Sequence, residues 1–197
     1  MTPLLVATTN ADKLREIRAV LAGAAVDLRT LDEAPRVPEP DETGVTFAEN
    51  ARIKALYYGA LTPSLTVAED SGLEIDALGG APGVRSARFL GPEASYLARF
   101  AEIQRRLAEV PAHARQARFV CALAVVQEGE VRFETTGTIE GLIAAEARGT
   151  GGFGYDPIFF YPPFGRTLAE VSAAEKLSVA HRGKAFSTLA NWLRGRA

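Results

Sequence analysis

The sequence predicts an α/β fold built on a mixed sheet. Short apolar runs of strand length alternate with longer segments of helical period, one pair of runs is joined by a tight turn, and neither internal repeat nor low-complexity linker interrupts the order. The 197 residues are 47% hydrophobic and 23% charged, which is enough for one sizeable core, so a single domain over 1–197 is expected, with room for two lobes.

Residues 3–8 (PLLVAT) read as a buried strand, and Thr9-Asn10 lead into a helix with Leu14, Ile17, Val20 and Leu21 inward, stopping near Gly23. Residues 29–44 are rich in Pro and acid and read as a loop. Thr46-Phe47-Ala48-Glu49 is a capping box that opens a second helix, ending near Gly59. Residues 65–68 are a short strand running into Glu69-Asp70-Ser71-Gly72. After the turn-rich stretch 79–83, a helix over 93–107 aligns Tyr96, Phe100, Ile103 and Leu107 on one face. Residues 117–127 and 131–138 form an antiparallel pair joined through Glu128-Gly129-Glu130. A glycine loop at 149–154 precedes an aromatic run at 158–161, and a final helix covers 178–194 with Phe186, Leu189 and Leu193 inward.

Charge and cysteine usage exclude several classes. A net charge of -2 gives no basic footprint for nucleic acid, so any phosphate binding is local. Cys121 is the only cysteine, which rules out an internal disulfide framework and a cysteine zinc site, and its apolar flanks suit a small core residue. No apolar run reaches the ~20 residues that cross a bilayer, and the amino end has no signal-peptide pattern; a cytoplasmic protein with no membrane partner is expected. Among twenty-two basic residues only four are Lys (Lys13, Lys54, Lys176 and Lys184), so the lysines mark places where a compact ammonium suits better than a planar fork, unless the bias is one of sampling.

Three of those lysines fall in constellations that can carry chemistry. Asn10 suits an N-cap, with Thr8 and Thr9 as further donors, and Lys13 then stands in the first helical turn, where a cation opposes the helix dipole unless an anion binds there. An exposed surface lysine is the plainer alternative. Glu69 and Asp70 are adjacent carboxylates at the edge of an apolar run, unfavourable without a cation; Mg²⁺ fits, with Glu42 as a helping carboxylate, against the alternative of a solvated acidic turn. Strand alternation directs only one of the pair into any given site. Lys54 lies four residues after Asn50 on an otherwise apolar helix face, pointing into a half-buried site or snorkelling to solvent.

The loop from Arg148 to Asp156 matches GxGxxG at Gly149, Gly151 and Gly154, but no helix follows, so a dinucleotide fingerprint is rejected. The expectation instead is that the glycines admit a flat ligand, with Phe153 available for stacking. Lys176, His181 and Arg182 crowd around the start of the last helix and suit an anion or base-edge site as well as ordinary helix-end charges. Together these parts suit a nucleotide hydrolase; a non-catalytic nucleotide sensor is the rival from another class.

The segments ATTNADKLREI, DETGVTFAENARIKA, VAEDSGLEIDALGGAPGVRSARF, GTGGFGYDPIFF and AAEKLSVAHRGKA, in this order over nearly the whole chain, resemble the inosine/xanthosine triphosphate pyrophosphatases. The resemblance implies an elongated two-lobed α/β fold around a long curved mixed sheet flanked by helices, a homodimer, and a nucleotide cleft between the lobes. It implies Mg²⁺-dependent hydrolysis of ITP, dITP and XTP to the monophosphate and pyrophosphate. By that resemblance Thr8, Thr9, Asn10 and Lys13 match the phosphate loop, and Asp70 matches the proton acceptor and magnesium ligand with Glu42 and Glu69 beside it. Lys54 matches the lysine reaching the phosphates, and Ser71 a substrate contact. Phe153, Gly154, Tyr155, Asp156, Lys176, His181 and Arg182 match the base-recognition shell. Thr9 stands where the family usually has Gly, Glu69 where it usually has Asp, and Ala180 where Ser is common.

Overall fold

A computed structural model describes residues 1–195. Seven strands form one mixed sheet in the order β2-β1-β3-β4-β5-β6-β7. β1 (Thr2–Val6) pairs in parallel with β2 (Val26–Thr30) and with β3 (Leu65–Ile75). β4 (Gln116–Gln127) and β5 (Glu130–Ile143) are joined by Glu128-Gly129, both at positive φ as a type I′ turn requires. β6 (Phe159–Tyr161) pairs antiparallel with β5 and with β7 (Arg166–Thr167). The helices are α1 (Ala11–Leu21), α2 (Phe47–Gly59), α3 (Tyr96–Arg106), α4 (Ala173–Val179) and α5 (His181–Arg194).

The chain divides into two compact units. Unit 1 comprises Met1–Asp70, Cys121–Gly137 and His181–Ala197; unit 2 comprises Ser71–Val120 and Thr138–Ala180. Each has its own core. In unit 1, Leu4, Val6, Leu65 and Val67 of the parallel strands pack with Ile17 and Leu21 of α1 and Phe186, Leu189 and Leu193 of α5. In unit 2, Leu73 and Ile75 pack with Phe100 and Ile103 of α3 and with Phe119, Ile139 and Phe159.

Several elements differ from the sequence expectation. β2 falls at the start of what reads as a loop: its alternation over Val26, Leu28 and Thr30 lasts only five residues before the Pro-rich stretch, too brief a signal to stand out. β3 does not stop at Ala68 but runs to Ile75, so Glu69 and Asp70 lie inside the strand and not at its carboxyl end. Charged residues inside a run read as its terminus; here they are buried and paired, and the strand continues. β5 likewise extends to Ile143. The last helical segment is two helices, because Ala180 takes an extended conformation (ψ 155) between α4 and α5.

Gly137 shows how closely α5 lies on β5 within unit 1. A Cβ there would overlap the His181 carbonyl oxygen and stand 2.7 Å from the Ala185 nitrogen, both backbone atoms that cannot rotate away. Gly137→Ala is expected to destabilise by about 1–3 kcal/mol, read as a fall of several degrees in Tm by circular dichroism. An unchanged Tm would show that the helix can shift freely.

Candidate active site

Unit 1 carries the first group of candidate residues. β1 ends at Val6, and the following turn caps α1: the Asn10 carboxamide oxygen accepts from the Asp12 and Lys13 amides at 3.0 Å each. The Asn10 amide donates to Thr8 Oγ1 at 3.2 Å, while the Thr9 hydroxyl donates to Glu39 in the acidic loop at 2.8 Å. Thr8, Thr9, Asn10 and the first turn of α1 are thereby held in one ordered segment.

Glu69 and Asp70 follow the alternation of β3 and find different partners. Glu69 Oε1 receives Lys13 Nζ from α1 and Arg182 Nε and Nη2 from α5, each at 3.1 Å, and Cys121 Sγ lies 3.6 Å from Oε2. Asp70 faces α2: Oδ2 accepts from Asn50 Nδ2 at 3.2 Å and Oδ1 from Lys54 Nζ at 3.1 Å. Lys54 Nζ also donates to Glu42 Oε1 at 2.6 Å. Its ammonium therefore points inward, with the side chain only 14% exposed, and does not snorkel.

Burial and charge act differently on the two acids. Burial pushes the Glu69 carboxyl up, but Arg182, Lys13 and Lys54 together outweigh it and hold Glu69 well below the usual carboxylate range. For Asp70, burial again raises the carboxyl, and the neighbouring Glu42 and Glu69 add to it; Lys54 and Lys13 only partly compensate, so it titrates above an ordinary Asp. Lys54 is disfavoured as a cation by burial, yet Asp70, Glu42 and Glu69 more than restore it. Asp70 is thus the more basic carboxylate and Glu69 the permanently ionised one.

Asn50 has a role the sequence reading left unassigned. Its carboxamide oxygen accepts from the Gly44 amide at 2.8 Å while its NH₂ holds Asp70, so one fully buried side chain links the loop carrying Glu42 to the acid on β3. The scarcity of Asn in the chain was the available signal. Cys121 is a core residue, as its flanks suggest, but its thiol also faces Glu69, which pushes its own ionisation further up after burial has done so. Arg182 is nearly fully buried, and its Nε, Nη1 and Nη2 each meet a carboxylate, with Nη1 donating to Glu16 at 2.7 Å. Glu16 carries no signal except its place one turn beyond Lys13.

Unit 2 carries the second group. Asp156 is buried and accepts from the Phe153 amide at 2.8 Å and from Lys176 Nζ at 2.6 Å; the same ammonium lies 4.5 Å over the Phe153 ring. Tyr155 is buried, donates to the Ser86 carbonyl at 2.8 Å and meets Tyr96 edge-on. Gly149 and Gly152 are required by close neighbours within unit 2. Their missing Cβ atoms make room for the Ala169 carbonyl and the Asp156 carboxylate, and Gly151 also packs on Ala169. Gly154, at φ +65, has only ordinary contact with Tyr96. Ser71 begins unit 2 within β3. Lys176 belongs to unit 2, whereas His181 and Arg182 open α5 in unit 1, so the basic trio of the sequence is divided.

The chain matches the model of the Ham1 family over residues 4–192. It is 44% identical to a dITP/XTP pyrophosphatase of Exiguobacterium sibiricum, an alignment covering 94% of each chain, and 45% identical to one of Geobacter sulfurreducens, covering 98% of this chain and 97% of that one. Among solved structures it resembles a HAM1 protein from Coxiella burnetii with a TM-score of 0.91 at 37% identity, covering 99% of this chain and 100% of the other. It also resembles a nucleoside-triphosphatase, dITP/XTP pyrophosphatase, from Mycobacterium abscessus with a TM-score of 0.78 at 42% identity, covering 95% and 97%. Among the described residues no helix is long and apolar enough to cross a membrane.

Proposed function

The chain belongs to the Ham1 family, and from that premise we propose that it hydrolyses the non-canonical purine triphosphates ITP, dITP and XTP to the nucleoside monophosphate and pyrophosphate. Removing such nucleotides from the pool keeps them out of DNA and RNA. The observation that carries this reading is the pair of consecutive carboxylates on β3, one held by Lys13 and the other by Lys54.

In this reading Thr8, Thr9 and Asn10 at the α1 N-terminus receive phosphate oxygens, where the helix dipole favours negative charge, and the Thr9 hydroxyl exchanges its bond to Glu39 for one to phosphate. Lys13 and Lys54 offset charge that builds up on the departing pyrophosphate. Asp70 is the proton acceptor for the attacking water. Glu69, held ionised, fixes Lys13. The residues that would hold a divalent ion are Glu42 and Asp70, whose carboxylates are drawn together by the Lys54 ammonium at 2.6 and 3.1 Å, so the ion would have to take oxygens that Lys54 now occupies or those beside them. Among the described residues no three acidic, His or Cys side chains are grouped to hold a metal, and Mg²⁺ commonly takes one or two carboxylates and completes its shell with water and phosphate. When bound by Asp70 and Glu42, it supplies Lewis acidity to the phosphate oxygens.

The base is assigned to unit 2. Phe153, locked through its amide to Asp156, offers a stacking face, and Lys176 beside it offers a donor for the keto oxygen of hypoxanthine or xanthine. The adenine amino group cannot accept that hydrogen bond. A site built on such donors discriminates by roughly 10⁴. The test is pyrophosphate release from ITP, XTP and ATP with and without Mg²⁺: ITP and XTP react, ATP scarcely, and chelation stops the reaction. ATP turnover matching that of ITP would overturn the assignment of the base site. Phe153→Ala is expected to raise KM for ITP by about tenfold, the lower part of the ~1–3 kcal/mol that base stacking contributes, with a smaller change in kcat. The homodimer and cytoplasmic setting belong to the same proposal; light scattering at twice the chain mass tests the first.

A further inference from the structure

Glu16 lies three residues after Lys13 on α1, and the two side chains close a circuit through the protein. Glu16 Oε2 accepts from Arg182 Nη1 at 2.7 Å. Arg182 Nε and Nη2 donate to Glu69 Oε1 at 3.1 Å, and that same oxygen receives Lys13 Nζ at 3.1 Å. One helix face thus supplies both ends of an acid–base–acid–base row that runs through α5 and β3. The row is enclosed: exposure is 13% for the Glu16 side chain, 1% for Arg182 and 2% for Glu69.

Resting on the reading of Lys13 as a pyrophosphate contact, we infer that Glu16 is a positioning residue of the phosphate site. A guanidinium is planar and rigid, so fixing Nη1 on Glu16 also fixes the edge formed by Nε and Nη2. That edge is the part that holds Glu69 Oε1, and the same oxygen sets where the Lys13 ammonium stands. Without the rear anchor, the guanidinium can tilt within its pocket, Glu69 follows, and Lys13 loses its fixed place. Displacements of about 1 Å at a reacting centre can reduce turnover by as much as 10²-fold. Glu16 itself touches no substrate in this scheme; it acts through Arg182.

Two near-isosteric variants separate reach from charge. Glu16→Gln keeps the length and an acceptor oxygen but removes the charge. Glu16→Asp keeps the charge but withdraws the acceptor by one methylene from a 2.7 Å contact. Steady-state kinetics with ITP are compared for both variants and wild type, with Tm by circular dichroism alongside. The expected result is that Glu16→Gln stays within about threefold of wild-type kcat while Glu16→Asp falls about tenfold or more with KM within about threefold. Wild-type kcat in Glu16→Asp overturns the inference, as does the reverse order, which would make the charge and not the reach the active feature. Equal falls in Tm with no difference in kcat also overturn it, leaving a purely structural pair. Wild-type protein that releases no pyrophosphate from ITP would instead remove the functional reading on which the inference stands.

Discussion

Asp70→Asn lowers kcat for pyrophosphate release from ITP by about 10²–10⁴-fold while the protein stays folded. The carboxamide is the same size, and its oxygen can still accept from Asn50 or Lys54, but it cannot take a proton from water at neutral pH. The fold is spared for a second reason. Burial, together with Glu42 and Glu69, raises the Asp70 carboxyl above its ordinary 3.8, so the folded state holds the ionised form less favourably than the unfolded chain does. For an acid whose pKa is raised on folding, the contribution to stability is present below the unfolded value and is lost as pH rises through the folded one. At neutral pH a neutral side chain here relieves that penalty, and Tm is retained or raised. Undiminished kcat in Asp70→Asn, measured with the variant folded by circular dichroism, would remove Asp70 from the chemistry.

Glu69→Ala gives the opposite pattern, a large loss of stability. It leaves the Arg182 guanidinium, 1% exposed, without the carboxylate that meets two of its nitrogens, and Lys13 without its ion-pair partner. Removing one member of a buried pair typically costs about 3–5 kcal/mol, which for a chain of this size lowers Tm by roughly 10 °C. The pH dependence identifies the cause. Burial alone would raise the Glu69 carboxyl, but Arg182, Lys13 and Lys54 outweigh it and bring it well below 4.5. The stability this confers is complete above about 4.5 and is lost as pH falls toward the depressed folded value. Denaturant midpoints for wild type and Glu69→Gln should therefore differ most at neutral pH, and the gap should narrow steadily from pH 4.5 to about pH 3 without closing there. A gap that stays constant over that range would mean that the carboxylate charge is not what holds the cations.

Much of the site was legible because its chemistry uses residue types that have no business in an apolar run. The Thr46–Glu49 capping box was fully readable, since it is a local hydrogen-bond pattern, and it sets the helix phase that turns Lys54 toward Asp70. The Asn10 cap was readable for the same reason. What could not be read was pairing over long sequence separation. Arg182 and Glu69 are 113 residues apart, and nothing local shows that a basic residue opening the last helix answers an acid on the third strand. Sequence therefore gathered Lys176, His181 and Arg182 into one cluster because they are neighbours along the chain, whereas the extended Ala180 sends them to different units. The glycine loop was legible only in part. Gly149 and Gly152 are required by the loop's own carbonyl and carboxylate neighbours, a close approach that spacing alone cannot distinguish from room for a ligand.

The chain passes between the two units at four places, after Asp70, Val120, Gly137 and Ala180. During synthesis on the ribosome, the early strands emerge long before α5, yet Phe186, Leu189 and Leu193 of that helix complete their core and Arg182 neutralises Glu69. A nascent chain lacking α5 would carry an unshielded apolar face and a buried acid answered by Lys13 alone, so unit 1 cannot mature in the order in which it is translated. Neither unit can be produced as one uninterrupted fragment, and Glu69 meets its guanidinium partner only once a helix encoded more than a hundred codons later has been delivered.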